Sequence, residues 1–525
     1  MQRRRFLASG AALGAGALAR PNFVVGQTPA PAGGTTVPLV QGGVYQAGSE
    51  AQLFVDQMLV RSTDKVSFTL HPARKHPANP LVKADQPWEG WALQFYGNVI
   101  FDEDDQLFKM WYIGESAEHF PQYAALYATS KDGIHWDKPL VGTIESAIPC
   151  KHNAVLDGAI LPNVFKDNLD PDPSRRFKMI THLNGKGYHT FVSPDGLHWS
   201  QSSVQPIAPW VDVISGYYDR RRKLWVAFAK YHNYTVPGLP NTRRVFWLVT
   251  SSDFKNWSQP ELVIYPDAKD DAGAMARIEQ ARPLLDVPDN PQLVRSDFYG
   301  IGVYQAESCV LGFPWVFTIN NTSRFGNDEG PGELQLAVTR DLKHWERPFR
   351  VPCVPIGALT DWDSAFFVTG AEALRVKDEV WLYYGGSNCT HGAPCLYKAE
   401  GTGRKTKYTC SIGLATWPLD RFVSADGPAE GGILTTVPLT FTGQRLELNV
   451  NAASKQSPSS VRVELLNAAG APLDGFGLSD PISNDSLRQT VTWAGKSDVS
   501  ALRGKPVSVR FHLQNAELYS FAFRE

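Results

Sequence analysis

The chain has 525 residues, of which 43% are hydrophobic and 20% are charged, so it is long enough to bury a large core. Its formal net charge of −2 leaves no basic excess, which excludes nucleic acid as the default partner. The 15 Trp, 18 Tyr and 27 Phe residues suit a β-rich core, and some of them suit surfaces on which sugars stack.

The first residues have the pattern of an export signal. Three arginines at 3–5 precede an apolar stretch rich in Ala and Gly, which resembles a twin-arginine signal. We therefore expect a signal peptide at 1–26, a flexible lead-in at 27–50, and a mature protein that is periplasmic or secreted. Later segments lack the roughly 20 apolar residues that a bilayer span needs, so we expect no membrane partner.

One sequence pattern returns four times, with a degenerate fifth copy at 412–423. Each copy is a short strand ending in Ser or Thr, then Asp, a residue that can turn, and a Trp four positions after the Asp. The copies end at Trp136, Trp199, Trp257 and Trp345. Strand–turn–strand patterns precede each copy, and four-stranded units repeated in this way predict a five-bladed β-propeller over 51–424.

The aspartates at these turns and at the equivalent preceding turns are predicted to be structural, because they recur in every unit. They are Asp102, Asp132, Asp167, Asp195, Asp219, Asp253 and Asp341. An insertion at 265–295 carries five more aspartates and either rims one face or, as we expect, forms a solvated acidic loop. After a linker at 424–432, apolar residues alternate with polar ones and predict a β-sandwich over 433–525.

Six cysteines permit disulfide bonds outside the cytoplasm, although sequence does not fix their connectivity. Cys389 and Cys395 are the predicted local pair. A zinc site is the alternative, but the spacing differs from that of paired C-x-x-C knuckles. We expect no metal and no cofactor.

The predicted fold class is all-β, with a five-bladed β-propeller followed by a C-terminal β-sandwich. This combination, together with segments such as Phe108–Tyr112 and Tyr127–Trp136, resembles the five-bladed glycoside hydrolases of the family-32 and family-43 type, as an exported bacterial member. The resemblance implies a hydrolase that cleaves a plant or microbial glycan in the axial pocket. The signature motifs of those families are absent, so the site is predicted from position.

Glycoside hydrolysis needs one protonated carboxyl group as proton donor and one ionised carboxylate as base or nucleophile. Carboxylates that enter the innermost strands would converge on one axis and push their pKa values apart. Glu89 is the predicted general acid, Asp212 or Asp297 the base or nucleophile, and Asp363 a group that orients the sugar or tunes the pKa of a partner. For each of these four, a turn or cap role is an equal alternative.

The predicted substrate-binding residues are aromatic platforms and polar groups in loops after strands. They are Trp91, Tyr96, Asn153, Tyr299, Arg324, Trp362, Glu372 and His391. Ordinary loop hydrogen bonding and core packing are the alternative roles of these residues.

Two other functions stay open at this stage. A phosphorylase or sugar-eliminating enzyme on the same fold needs an anion site, for which Arg243 and Arg244 are the compact basic candidate. A non-catalytic propeller that binds glycans or proteins is the third hypothesis, since fold does not fix function. The expected partner in the leading hypothesis is an oligo- or polysaccharide.

Overall fold

The computed structural model describes residues 40–41, 43–114, 116–120, 123–183, 185–210, 212–324, 326–392, 408–453 and 458–525. Its regular structure is mainly β-strand with two short α-helices, which confirms the predicted all-β class. The predicted signal peptide and Cys395 lie outside the described residues. Within these ranges, no helix is both long and apolar enough to cross a membrane.

Six short strands precede the repeated units. They are β1 (Val40–Gln41), β2 (Val44–Gly48), β3 (Gln52–Leu53), β4 (Val60–Asp64), β5 (Ser67–Leu70) and β6 (Arg74–Lys75).

Five antiparallel sheets, numbered I to V, then follow in chain order. Sheet I contains β7 (Leu93–Asp102), β8 (Leu107–Gly114), β9 (Ala124–Ser130) and β10 (Ala154–Asp157). Sheet II contains β11 (Asn163–Lys166), β12 (Phe177–Leu183), β13 (Gly187–Ser193) and β14 (Ser200–Gln201). Sheet III contains β15 (Ile214–Asp219), β16 (Leu224–Thr235), β17 (Thr242–Ser251) and β18 (Glu261–Ile264).

Helices α1 (Ala268–Ala272) and α2 (Ala274–Ala281) separate sheets III and IV. Sheet IV and the hairpin inserted in it comprise β19 (Arg295–Gln305), β20 (Val310–Ile319), the hairpin strands β21 (Asn321–Thr322) and β22 (Asp328–Glu329), β23 (Gly332–Leu334), β24 (Ala337–Thr339) and β25 (Trp345–Glu346). Sheet V contains β26 (Phe366–Thr369), β27 (Leu374–Val376), β28 (Glu379–Ser387) and β29 (Cys410–Pro418), with β6 as its outer strand.

The first strands of the five sheets form a closed ring. β7 contacts β11, β11 contacts β15, β15 contacts β19, β19 contacts β26, and β26 returns to β7. The N-terminal strand β6 pairs with β29 of the last sheet, so segments from both ends of the ring build sheet V. Apolar side chains fill the space between neighbouring sheets, as where Phe313 and Trp417 stack at 5.6 Å.

The repeated Asp turns have the structural role predicted for them. In the first copy, Asp132 Oδ1 accepts hydrogen bonds from the backbone N–H groups of Ile134 and His135, each at 2.8 Å. His135 Nδ1 lies 2.7 Å from Asp132 Oδ2, and this contact is the main cause of the lowered pKa of Asp132. The same arrangement recurs at Asp195, Asp253 and Asp341. These carboxylates are therefore fixed in turns, away from the ring centre.

Two further sheets share one apolar core at the C-terminal end of the chain. Separately, β32 (Leu439–Phe441) pairs with β2 in a small sheet with β1. The remaining strands of the two sheets are β30 (Val423–Gly427), β31 (Gly432–Thr436), β33 (Arg445–Asn451), β34 (Ser460–Leu466), β35 (Asp485–Thr490), β36 (Ser508–Gln514) and β37 (Ala516–Arg524). Sheet VI orders them as β35-β33-β37-β30-β5 with β3 beside β37, and sheet VII as β34-β36-β31-β4.

The N-terminal strands pair differently from the predicted boundaries. β2 lies parallel to β32, although 27–50 was expected to be a flexible lead-in. β3, β4 and β5 join sheets VI and VII, although 51–424 was assigned to the repeated units. The reason is burial of apolar side chains. Tyr45 and Phe54 are each 2% exposed and belong to the core of the C-terminal sheets, so the N-terminal strands complete that core.

The acidic insertion is not a solvated loop. Helices α1 and α2 fold against the start of β19, where Asp271 accepts a hydrogen bond from the Ser296 N–H at 2.9 Å. Asp270 is 1% exposed and lies 2.7 Å from Arg347 and 2.9 Å from Arg350. Arginines distant in the sequence neutralise these aspartates, which sequence composition did not indicate.

Candidate functional site

The ring of first strands has two ends with different chemistry. At the carboxyl ends, here called the exit end, Glu372 accepts a hydrogen bond from Gln305 at 2.6 Å and pairs with Arg220 at 3.0 Å. At the amino ends, here called the entry end, Asp212 precedes β15 and Asp297 lies near the start of β19. Glu372, predicted to bind the substrate, is therefore at the opposite end of the ring from Asp212 and Asp297.

An ion pair between Asp212 and Lys230 dominates the entry end. Lys230 lies on β16 with no exposed side-chain surface, and its Nζ is 2.8 Å from Asp212 Oδ2. Asp212 is about a third exposed, at 34%, so its carboxylate faces both the lysine and the opening. Burial raises the pKa of Asp212, but Lys230, together with His182 and Arg244, lowers it, and the net shift is downward. Burial also lowers the pKa of Lys230 to about 8.

The backbone at Asp212 is held in a conformation that non-glycine residues rarely adopt. Its φ is 105°. The next residue is fixed on both sides: the Lys230 N–H donates to the Val213 carbonyl at 3.0 Å, and the Tyr188 hydroxyl lies 3.0 Å from that same oxygen. Strained backbone that its surroundings hold in place is common at functional sites.

A second charged group adjoins the first. Arg244 on β17 lies 2.7 Å from Asp297 and 2.8 Å from Asp328, a residue of the β21–β22 hairpin. Arg295 reaches the same two carboxylates at 3.5 and 3.4 Å. Asp297 is 1% exposed, so it holds Arg244 from the buried side, whereas Asp328 is 23% exposed. Arg244 and Arg295 lower the pKa of Asp328 against the effect of burial.

Arg243 and Arg244 do not form a basic pair. Successive residues of a strand point to opposite faces, and Arg243 is fully buried against Asp271 at 2.6 Å. The entry end therefore holds three cations, Lys230, Arg244 and Arg295, against three carboxylates, Asp212, Asp297 and Asp328. This balance leaves no net positive charge for an anionic substrate.

Two histidines next to these charges are neutral at pH 7. Burial lowers the pKa of His391 and of His182 to about 4 in each case. His391 Nδ1 lies 2.7 Å from the Asp328 carbonyl oxygen, which can only accept, so Nδ1 carries the proton. Both ring nitrogens of His182 lack a hydrogen-bond partner among the described residues.

Aromatic rings line the same opening. Lys230 Nζ lies 3.7 Å from the centre of the Tyr299 ring, which excludes sugar stacking on that face. Tyr96 stacks on Trp315 at 5.8 Å and His391 meets Tyr299 edge-on at 4.9 Å. Partly buried Trp210, just before Asp212 in sequence, contacts Tyr231 at 5.3 Å and Trp247 at 5.0 Å. Trp210 is partly exposed and precedes Asp212 by two residues.

Glu89 is enclosed within sheet I and its connections. Its carboxylate has no exposed surface, accepts from the Tyr112 hydroxyl at 2.7 Å and pairs with Lys138 at 2.7 Å. Two backbone N–H groups, of Asp85 and Gln86, donate to its other oxygen at 3.0 Å. These contacts enclose Glu89 within the fold, which favours the structural alternative over the predicted role as a general acid.

Asn153 belongs to this same enclosed network. Its side-chain amide donates to the Tyr112 hydroxyl at 2.9 Å and to the Tyr127 carbonyl at 2.7 Å, and it accepts from Trp88 at 2.7 Å. With every polar atom used internally, Asn153 has a structural role instead of the predicted substrate contact.

Asp363 and Trp362 form a separate group at the start of sheet V. Asp363 is 2% exposed, pairs with Lys75 at 2.6 Å and accepts from the Tyr384 hydroxyl at 2.7 Å. Trp362 stacks on Tyr384 at 5.5 Å. These contacts fasten β6 to sheet V, so Asp363 is not placed to act on a substrate.

The two other predicted residues have different settings. Trp91 packs against Cys389 and Tyr408, beside the entry end. Arg324 is exposed at the tip of the β21–β22 hairpin that carries Asp328. Of the predicted site residues, the structure thus brings together Asp212, Asp297, Tyr299, Tyr96 and His391.

Sequence reasoning missed Lys230 and Asp328. A lysine inside the apolar strand Leu224–Thr235 was a usable signal, because a buried lysine is almost always paired with a carboxylate. Asp328 gave no such signal, since it lies in a polar hairpin. The described residues contain no group of three or more His, Cys, Asp or Glu side chains arranged to hold a metal ion.

No protein-family model matches the chain, and no curated protein matches it. Among solved structures, it is similar to an N-acetylgalactosamine deacetylase from F. plautii in complex with blood group B trisaccharide. That match has 12% identity and a TM-score of 0.37, and it covers 72% of this chain and 96% of the other.

Two further solved structures are similar at the same level. A glycosyl hydrolase from Bacteroides ovatus matches with 9% identity and a TM-score of 0.40, covering 68% of this chain and 97% of the other. A β-1,2-mannobiose phosphorylase from Listeria innocua matches with 11% identity and a TM-score of 0.39, covering 67% and 98%. Because these TM-scores lie below 0.5, the function proposed below rests on the geometry of the chain's own residues.

Proposed function

We propose that sheets I to V form a five-bladed β-propeller, that sheets VI and VII form a β-sandwich completed by residues 44–70, and that the entry end cleaves glycosidic bonds. The observation that carries this proposal is Asp212. It is an ionised, partly exposed carboxylate on strained backbone, held by a buried lysine at the centre of a ring of sheets.

Asp212 is assigned the role of base or nucleophile. Lys230 keeps its carboxylate ionised, which either role requires, and the part of the side chain that is exposed gives access to a water molecule or a sugar carbon. Lys230 itself has no exposed surface and is a positioning residue. Asp297, also enclosed, positions Arg244 and does not contact the substrate.

The remaining groups at the entry end bind the sugar. Asp328 and Arg244 present an acceptor and donors side by side, which suits neighbouring hydroxyl groups. Trp210 presents an aromatic face beside Asp212, which suits the C–H surface of a sugar ring. The substrate is a neutral glycan, since the cations at this end are matched by carboxylates.

One observation favours a second candidate, a propeller that binds a glycan without cleaving it. Hydrolysis by two carboxyl groups needs one with a raised pKa as proton donor. The pKa values of Asp212 and Asp328 are both lowered, and the enclosed Glu89 does not reach the opening. The binding candidate needs no proton donor.

A screen of purified protein against aryl glycosides and plant and microbial polysaccharides separates the candidates. The hydrolase predicts release of reducing sugar by the wild type, with the rate unchanged when inorganic phosphate is added. Binding of a polysaccharide without release of sugar supports the second candidate. Cleavage that depends on phosphate contradicts the charge balance at the entry end and with it the proposed hydrolase.

A further inference from the structure

A second depression opens beside the entry end, between helix α2 and the start of sheet V. This cleft encloses about 210 Å³, which is less than drug-sized pockets occupy and limits an occupant to a single small ring. Its apolar wall includes Val316, Ile356 and Leu359. Its polar lining includes Arg277, Glu333 and Ser364.

The polar groups of the cleft are buried, and one has no partner. Ser364 is 4% exposed, and its hydroxyl makes no hydrogen bond with any described residue. Glu333, also 4% exposed, accepts a hydrogen bond from Gln335 at 2.5 Å. Burial raises the pKa of Glu333, and the nearby Arg277 acts in the opposite direction. The net pKa is raised, so Glu333 is protonated more readily than a surface glutamate.

The side chain of Arg277 links helix α2 to strands β19 and β20 by hydrogen bonds. Its Nε donates to the Thr318 hydroxyl at 2.7 Å, and its Nη2 donates to the Ser296 hydroxyl at 2.7 Å. Because Nε and Nη2 carry these bonds, the guanidinium group is fixed in place as part of the cleft wall. The arrangement combines an apolar wall with a hydroxyl, a carboxyl and a fixed guanidinium group.

The cleft shares structural elements with the entry end. Ser364 and Ala365 directly precede Phe366, whose ring contacts Tyr299 and His391, each at 5.7 Å. On the other side, Arg277 bonds to Ser296, the residue before Asp297. A glycine is required at position 332 in the cleft lining, since a Cβ there would lie 2.6 Å from the Phe366 ring. A glycan seated at the entry end thus lies next to this cleft.

We infer that the cleft binds one neutral sugar residue and that, given the proposed function, this residue is a branch of the glycan held at the entry end. A sugar ring presents hydroxyl groups to Ser364, Glu333 and Arg277 and a C–H face to the apolar wall. Arg277 already uses Nε and Nη2 for hydrogen bonds to Thr318 and Ser296 and shares the cleft with the carboxyl group of Glu333, which favours a neutral ligand over an anion.

The test uses methyl glycosides of neutral hexoses and pentoses as probes, with binding measured by saturation-transfer NMR titration. Ala358 is exposed and lines the cleft, so Ala358→Trp blocks it without disturbing the core. Thr360→Trp, at an exposed neighbouring position outside the lining, is the matched control. Asp212→Asn reports on the entry end.

The expected result is that at least one methyl glycoside binds the wild type, Thr360→Trp and Asp212→Asn, and binds Ala358→Trp about 10-fold or more weakly. Equal binding by Ala358→Trp and the wild type, or no binding of any probe to the wild type at about 50 mM, overturns the inference.

A second readout separates this inference from the proposed function. On branched glycans, Ala358→Trp is expected to lower kcat/KM about 10-fold through KM, while cleavage of linear chains is unchanged. Equal loss on branched and linear chains overturns the branch role. If a methyl glycoside binds in the cleft but no glycan is cleaved, the cleft is a sugar site and the proposed hydrolase is contradicted. The role of the cleft in holding a branch of a hydrolase substrate is then overturned as well.

Discussion

The buried ammonium group of Lys230 lies 2.8 Å from the carboxylate of Asp212 and 3.7 Å from the centre of the Tyr299 ring. Lys230 thus compensates its burial with an anion on one side and an aromatic face on the other. Asp212, in turn, owes its lowered pKa to this one cation more than to any other group. The protonation behaviour of the entry end therefore depends on this pair.

Replacing Lys230 with Met is expected to move the acid limb of the pH profile. Without the ammonium group, the largest cause that lowers the pKa of Asp212 is gone while burial still raises it, so the pKa rises and the base is protonated at a higher pH. The acid limb of kcat/KM should move to higher pH by about one unit or more. A pH profile measured on the two proteins checks this, and an unmoved acid limb in the active Met variant contradicts the role of Lys230.

Replacing Asp212 with Asn is expected to destabilise the protein in a pH-dependent way. The variant leaves Lys230 buried without its partner, at a cost of about 2 kcal/mol near pH 6. The pKa of Lys230, already about 8, falls further in the variant, so the folded variant loses that proton at a lower pH than the folded wild type. The unfolded chain keeps its proton at these pH values, so the stability of the variant rises relative to the wild type as pH increases.

Urea unfolding at pH 6 and pH 9 measures this difference. The free-energy deficit of Asp212→Asn should be smaller at pH 9 than at pH 6. The double variant with Lys230→Met serves as the control, because it contains no unpaired buried cation. A deficit that is equal at both pH values, or larger at pH 9, contradicts the account of the pair.

Replacing Glu89 with Gln is expected to affect folding and not catalysis. The amide cannot accept all the hydrogen bonds that Tyr112, Lys138 and two backbone N–H groups donate, at a cost of about 2–4 kcal/mol. Thermal unfolding should shift downward, while kcat below the unfolding transition stays within about threefold of the wild type. An unchanged unfolding temperature with about 100-fold lower kcat would restore Glu89 as a general acid.

Replacing Asp420 with Asn is expected to stabilise the protein above pH 6. Burial and then the nearby carboxylate of Glu307 raise the pKa of Asp420 from 3.8 to about 6. A group whose pKa is raised on folding contributes stability below its ordinary pKa and loses it as the pH rises through the folded value. Asn removes the cost of ionisation, which is at most about 3 kcal/mol at pH 7.5.

The backbone at Asp420 has a φ of 61°, which Asn also adopts readily. Asp378→Asn, at an exposed carboxylate paired with Arg488, is the control and should not stabilise the protein. Melting temperatures at pH 4 and pH 7.5 give the comparison. A stabilisation by Asp420→Asn that is as large at pH 4 as at pH 7.5 contradicts the raised pKa.

The repeated units could be recognised from sequence because their signal is local. Each Asp turn places its carboxylate, backbone donors and covering Trp within a few residues, so the pattern is complete in one short segment. The pairing of β2 to β5 with strands some 350 to 470 residues later leaves no such pattern. The C-terminal β-strands could therefore be predicted from the sequence, whereas the pairing of the N-terminal strands that complete their core could not.

The candidate site was only partly predictable for the same reason. Asp212 and Asp297 were found because each stands at the start of a first strand, where side chains near the ring centre must lie. Glu89 has an equivalent position in sequence, but Lys138, about fifty residues later, turns it into an enclosed ion pair. Position along a strand indicates which residues approach the opening, whereas partners from distant segments decide which of them remain accessible.

Asp212 is the most direct point at which to test the proposed hydrolase. The measurement is the rate of sugar release from the best substrate of the glycoside screen by the wild type and by Asp212→Asn, at a temperature where both are folded, with Lys230→Arg as the charge-conserving control. The account predicts about a 100-fold or greater loss in Asp212→Asn and measurable activity in Lys230→Arg. Full activity of Asp212→Asn would contradict it.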